Sequence, residues 1–98
     1  AYADLLLPAT TWGEKEGTVT NSERRISRVR AAVHAPGEAR HDWAAGVEFA
    51  RRLESRLPRR RADGATLFPY ETPESVWNEH RESTRGRDLD ITGLSYAA

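Results

Sequence analysis

Cysteine is absent from this 98-residue chain. That excludes disulfides, thiolate metal sites, cysteine-held iron–sulfur clusters and a cysteine nucleophile within these residues. Methionine is absent too, at position 1 as elsewhere. A translated product begins with Met, so the chain is expected to be an excised or processed piece of a longer polypeptide. No apolar run nears the ~20 residues of a membrane-spanning helix, and Leu5–Leu7 is too short for a signal-peptide core. No sign of charge dominates: 15 Lys and Arg balance 15 Asp and Glu. No overall field therefore draws the molecule to nucleic acid or an anionic membrane. Phosphate-cradling glycine strings are missing as well, since Gly13 and Gly17 alone do not make one. His34, His41 and His80 lack the i, i+4 spacing of a zinc helix, and no serine–histidine–acid triad can be argued from their order.

What is present suits one small domain with a modest core. Three Trp, three Tyr and two Phe supply apolar bulk that a disordered chain lacks. Residues 2–10, with Leu5, Leu6 and Leu7 in one continuous apolar run, read as a buried strand covered on both faces and ended by Pro8. Its sheet partners lie elsewhere in this chain or outside it. Residues 11–22 read as a polar loop with backbone freedom at Gly13 and Gly17 and turn formers at Asn21 and Ser22. Residues 23–33 read as an extended segment, a helical turn being the competitor. Pro36-Gly37 signals a turn. Asp42 is the expected N-cap of a helix running to about Leu57, where Pro58 stops it. Trp43, Val47, Ala50, Leu53 and Leu57 form its apolar stripe. Thr72 caps a second helix with Pro73 at its first position and Glu74 in its first turn. Val76, Trp77 and His80 make its inner face, and Gly86 suits its C-terminal cap. The tail from Asp88 reads as the start of something that continues. The fold expected is an α+β excerpt: a buried N-terminal strand, a polar loop, a short extended segment, then two helices.

Two features carry chemical potential without naming a reaction. Arg51, Arg52 and Arg56 run into the triplet Arg59-Arg60-Arg61. Such a cluster either contacts phosphate or decorates a solvated helix end; without interleaved aromatics and with zero net charge, nucleic-acid binding is not expected. Trp43, Trp77, Phe49 and Phe68 read as core, and Trp12 as packing for the entry to the polar loop. In that loop, Glu14 and Glu16 flank Lys15. In an extended chain the two carboxylates share a face while Lys15 points away. They either do acid–base work or belong to an ordinary charged loop.

The words around that loop are more specific. "ADLLLPATTWGEKEGTVTNSERRISRVR" resembles a segment of the molybdopterin oxidoreductase family. The shared pattern is a strand ending in "ADxxLP", then W-x-E-K-x-G-T-x-T-N-x-E-R-R. Downstream, "PGEARHDW" and "FARRLESRL" are similar to the family's "PGEARPDW" and "LARRLG", and "PYETPESVWNEHRESTRGRDLDITGLSY" resembles the stretch that follows in assimilatory nitrate reductases. Formate dehydrogenases of the family share much of the first motif. His41 stands where the pattern has Pro, Ala44 where a bulky residue is common, and "SRLPRRRADGATLFPY" is longer and more basic than the pattern.

The resemblance implies a fragment of a large catalytic subunit that holds molybdenum bis(molybdopterin guanine dinucleotide) and an iron–sulfur cluster. Such a parent reduces nitrate to nitrite in the cytoplasm, while the fragment alone is inactive. Residues 1–57 would end a Rossmann-like pterin-binding domain, and 58–98 would lead toward the C-terminal domain. The residues it marks for the cofactor are Glu14, Lys15, Glu16, Thr18, Asn21, Arg24 and Arg25, with Glu23 beside them. They follow a strand's carboxyl end, where ligands of α/β sheets gather. They either face the cofactor cavity or pair with one another and hold the loop's shape. The alternative classes are a formate dehydrogenase and a small non-catalytic interaction module. The parent polypeptide is the expected partner, and the exposed edge of Leu5–Leu7 invites pairing with "RISRV" or with another copy of the chain.

Overall fold

Where β-branched residues flank a polar turn on both sides, the backbone folds back on itself. The computed structural model, which describes residues 2–58 and 63–97, places such a hairpin across the stretch read as a loop and the extended segment that follows it. Strand β1 is Gly17–Thr20 and strand β2 is Ile26–Val29. They pair antiparallel, with Gly17 opposite Val29 and Thr18 opposite Arg28. Two helices complete the elements: α1 at Asp42–Glu54 and α2 at Pro73–Ser83. An α+β excerpt is therefore found, with β2 inside the expected extended segment and β1 inside the expected loop. The partner of "RISRV" is β1, not Leu5–Leu7.

The chain forms two compact units, each discontinuous in sequence. Unit 1 comprises Ala1–Lys15 and Ala31–Pro69. The expected buried strand at residues 2–10 is not there: Leu5, Leu6 and Leu7 are 73%, 83% and 63% exposed. Among the described residues the segment's one ladder contact comes later, at an isolated parallel bridge between Ala9 and Arg40. Thr10 N donates to Arg40 O at 3.0 Å and Arg40 N to Pro8 O at 3.1 Å. The physical reason is simple. A strand read as covered on both faces needs layers that the described residues do not supply.

Helix α1 has His41, not Asp42, at its N-cap, and His41 makes no capping side-chain bond. Asp42 sits one residue later, in the first turn, where a carboxylate still complements the dipole. The helix ends at Glu54 rather than near Leu57. Arg56 N and Leu57 N bond back only three residues, to Leu53 O and Glu54 O, because the residue before Pro58 is pushed out of the α region. Past its end, Glu54 receives hydrogen bonds from Thr66 Oγ1 at 2.6 Å and Leu67 N at 2.8 Å. Arg51 Nε donates to Phe68 O at 2.8 Å. None of α1 is fully buried. Trp43, Val47, Ala50 and Phe68 are half-buried, whereas Phe49, Leu53 and Leu57 are exposed, against the expectation of core. The Arg59-Arg60-Arg61 triplet lies outside the described residues.

Unit 2 comprises Glu16–Arg30 and Tyr70–Ala98. Helix α2 starts as its sequence indicates, with Thr72 accepting from Ser75 N and Pro73 opening the first turn. Trp77 is buried, and with Tyr96 it forms the core of this unit. Val76 is half-buried and His80 is exposed, so the inner face is narrower than expected. The cap residue is Thr84. Gly86 follows two residues on at a φ of 69°, a conformation glycine adopts without strain. Its N–H donates to Asp90 Oδ2 at 2.8 Å. Asp90 also receives Thr92 N and Thr92 Oγ1. These bonds order the tail that the sequence left open and carry Tyr96 into the core.

Candidate functional site

The polar stretch from Trp12 to Arg25 is not one loop. Its first part belongs to unit 1. Trp12–Glu14 is a 3₁₀ turn with a capping box on Thr11, in which Thr11 N donates to Glu14 Oε2 at 3.0 Å. Lys15 Nζ lies 3.4 Å from Asp42 Oδ2 and 4.9 Å from the centre of the Trp12 ring. Trp12 is mostly exposed, and its ring serves as a platform for the ammonium rather than as core.

The second part belongs to unit 2. Glu16 Oε1 accepts from Arg28 NH2 at 2.5 Å. Arg28 NH1 donates to Tyr96 O at 2.7 Å, and its guanidinium sits 4.2 Å from the centre of the Tyr96 ring. The Glu16 hydrogen bond raises the Arg28 pKa above its ordinary value. Burial pushes the Tyr96 phenol up. Glu14 and Glu16 are thus each committed, one to its own turn and one to Arg28. Among the described residues these two carboxylates therefore do not face one another as a free pair.

Thr18 stands opposite Arg28 in the hairpin. Both line a cavity of about 220 Å³ together with Trp77 and Tyr96. Asn21 builds the hairpin turn. Its Oδ1 accepts from Glu23 N at 3.0 Å and from Arg25 N at 2.9 Å, while Asn21 N donates to Arg25 O at 3.0 Å. This side-chain mimicry of a turn is what Asn does best. Arg24 is held at a φ of 63°, the one non-glycine residue in the left-handed region among the described residues. Neither Gly13 nor Gly17 adopts that region. The freedom expected of them is not used, and the strained position falls to an arginine.

At this tip Glu23, Arg24 and Arg25 are all exposed. None makes a side-chain hydrogen bond or ion pair among the described residues. Two free guanidiniums against one carboxylate suit a phosphate or another oxyanion, which arginine grips bidentately. The same residues do not suit a metal. Among the described residues no group of three or more His, Cys, Asp or Glu is placed to hold one. No described helix is long and apolar enough to cross a membrane.

Comparison with known proteins bears on this hairpin directly. The model of the molybdopterin oxidoreductases matches residues 1–52, which include the hairpin and most of α1. The chain belongs to the molybdopterin oxidoreductase family. The assimilatory nitrate reductase catalytic subunit of Bacillus subtilis is 41% identical over 95 residues, 97% of this chain and 12% of the relative. A nitrate reductase of Synechocystis is 42% identical over 95 residues, again 97% of this chain and 12% of the relative. An F420-dependent formate dehydrogenase subunit alpha of Methanocaldococcus jannaschii is 40% identical over 100 residues, 96% of this chain and 14% of the relative. The chain thus spans only a small part of the relatives it matches. Family membership implies a molybdenum–pterin cofactor and an oxidoreductase.

Sequence reasoning picked the residues of the hairpin but missed Arg28 and Tyr96. The β-branched run Thr18-Val19-Thr20, a turn at Asn21 and the run from Ile26 to Val29 would have signalled the hairpin. Nothing in the sequence announces that Tyr96 meets Arg28.

Proposed function

We propose that the chain is part of the catalytic subunit of a molybdenum-dependent nitrate reductase. The observation that carries this reading is the match to two nitrate reductases over 97% of the chain. On this reading the whole polypeptide holds molybdenum bis(molybdopterin guanine dinucleotide) and an iron–sulfur cluster in the cytoplasm. It reduces nitrate to nitrite, and the 98 residues alone carry no activity. Residues 1–57 end a Rossmann-like pterin-binding domain and 58–98 lead toward the C-terminal domain. When bound, the cofactor supplies the redox chemistry; this chain's own residues bind and position.

In that role Arg24 and Arg25 offer guanidinium N–H groups to the phosphate oxygens of the pterin dinucleotide. Asn21 fixes the turn that presents them, and Thr18 supports the hairpin beneath. Glu16 holds Arg28, while Glu14 and Lys15 stabilise the chain entering the hairpin. Asn21, Glu16, Glu14 and Lys15 act as positioning residues, because each side chain already holds a hydrogen bond or ion pair within the chain. The test is Arg24→Ala and Arg25→Ala in the full-length protein, with molybdenum and pterin content measured beside nitrate turnover. Reduced cofactor content is expected. Unchanged content and unchanged turnover in both variants would sink the binding role.

The formate dehydrogenase relative favours a second reading with the same hairpin and a different substrate. Assaying the full-length protein on nitrate and on formate separates them. Formate oxidation without nitrate reduction replaces the first reading with the second.

A further inference from the structure

Unit 1 carries an open groove of about 430 Å³ walled by Leu5, Leu6, Leu7 and Phe49. Phe49 is 67% exposed, although it lies on a helix, and the three leucines are more than half exposed. Isolated exposed leucines need no explanation; four large apolar side chains around one groove do. The backbone beside them is equally unfinished. The N–H and C=O groups of Leu5, Leu6 and Leu7 make no hydrogen bond among the described residues. Only the end of this segment is engaged, at the Ala9–Arg40 bridge. The rim carries no net charge, since Arg40 and Arg52 balance Glu48 and Glu38. Arg40 and Arg52 both pair with Glu48, the latter at 2.7 Å, and those hydrogen bonds and charges lower the Glu48 pKa.

We propose that this groove is the seat of an extended, apolar, uncharged segment of the same polypeptide from outside these 98 residues. An extended occupant satisfies the free backbone groups of Leu5–Leu7 as a neighbouring strand, and apolar side chains cover the leucines and Phe49. The occupant comes from the same chain because the relatives that match 97% of this sequence are matched over only 12% of their own length. The inference rests on the reading of the chain as part of a longer polypeptide, and not on its substrate.

Amide hydrogen exchange of the full-length protein, followed at Leu5, Leu6 and Leu7 at two protein concentrations tenfold apart, tests it. Protection of at least about 100-fold over an unstructured chain is expected, identical at both concentrations. Protection that grows with concentration assigns the groove to a second copy and overturns the proposal. Unprotected amides at both concentrations overturn it as well. Leu6→Ala, mild enough to leave the fold standing, is expected to raise exchange at Leu5–Leu7 about tenfold while α2 amides stay unchanged. Exchange that does not move in this variant overturns the seat. Substrate assays are independent of this readout, so a protein that oxidises formate rather than reducing nitrate leaves the exchange result standing.

Discussion

Tyr96→Ala and Tyr96→Phe, taken together, probe how unit 2 is held. Tyr96 is 7% exposed, and with Trp77 it is the buried apolar content of this unit among the described residues. Removing its ring forfeits the transfer free energy of a large aromatic and leaves a cavity, a loss of about 3–5 kcal/mol in well-packed cores. The ring also faces the Arg28 guanidinium at 4.2 Å, which adds about 0.5–1 kcal/mol. The hydrogen bond from Arg28 to the Tyr96 carbonyl is a backbone contact and survives truncation. The cavity beside Tyr96 already exists, so part of the void is present before the change, and the lower end of the range applies. We expect Tyr96→Ala to lower the opening free energy of the hairpin by about 3 kcal/mol, a rise of roughly 100-fold in exchange of the β1 and β2 amides. Tyr96→Phe should behave in the opposite sense. The Tyr96 hydroxyl is buried and has no hydrogen-bond partner among the described residues. Deleting an unsatisfied buried group is neutral or stabilising by up to about 1 kcal/mol. Native-state exchange by mass spectrometry on the full-length protein reads both variants. A Phe variant destabilised by more than about 1 kcal/mol would show that the hydroxyl is bonded after all. An Ala variant that opens no faster than wild type would remove Tyr96 from the core.

Three further outcomes follow from single contacts. Asn21→Ala deletes the acceptor of Glu23 N and Arg25 N and should cost the hairpin about 1–2 kcal/mol, seen as faster exchange at Arg25; an unchanged rate would argue against the side-chain turn. Arg24→Gly relieves the left-handed strain at φ 63° but gives up backbone entropy, so hairpin stability should change by less than about 1 kcal/mol. On the binding reading, its cofactor content should fall as far as that of Arg24→Ala, and a Gly variant with full cofactor content would show that the backbone, not the charge, matters. The hydrogen bond from the Thr92 hydroxyl, with those from Gly86 N–H and Thr92 N–H, holds the Asp90 carboxyl at about 2 against an ordinary 3.8. Because the folded value is depressed, Asp90's contribution is complete above pH 3.8 and is lost as pH falls through about 2. A ¹³C carboxyl titration with a midpoint near the ordinary value would refute the turn.

The helices were legible because their signals are local. Thr72 and Pro73 each act within one turn, and α2 begins where they say. Helix α1 was displaced by one residue at its start and three at its end, since Pro58 constrains its predecessor more strongly than the apolar stripe extends the helix. The hairpin was half legible: β2 was read as extended, while β1 was lost in a loop because glycines and charges outweighed three β-branched residues. Among the site residues, the types at positions 14–25 pointed to anion chemistry, but types cannot show which charges are already spent. Glu16 is neutralised by Arg28, twelve residues away, and Lys15 by Asp42, twenty-seven residues away. Arg24 and Arg25 remain free at the tip.

What the sequence determined by itself is the family, through words in a fixed order, and the local caps and turns, whose energies reside in neighbouring residues. What only the tertiary structure decided is which groups meet across long separations. Arg28 with Tyr96, Glu54 with Thr66 and the exposed faces of Leu5–Leu7 and Phe49 all depend on where the chain returns. An apolar run declares that it needs cover; whether cover arrives depends on partners that its own residues do not encode.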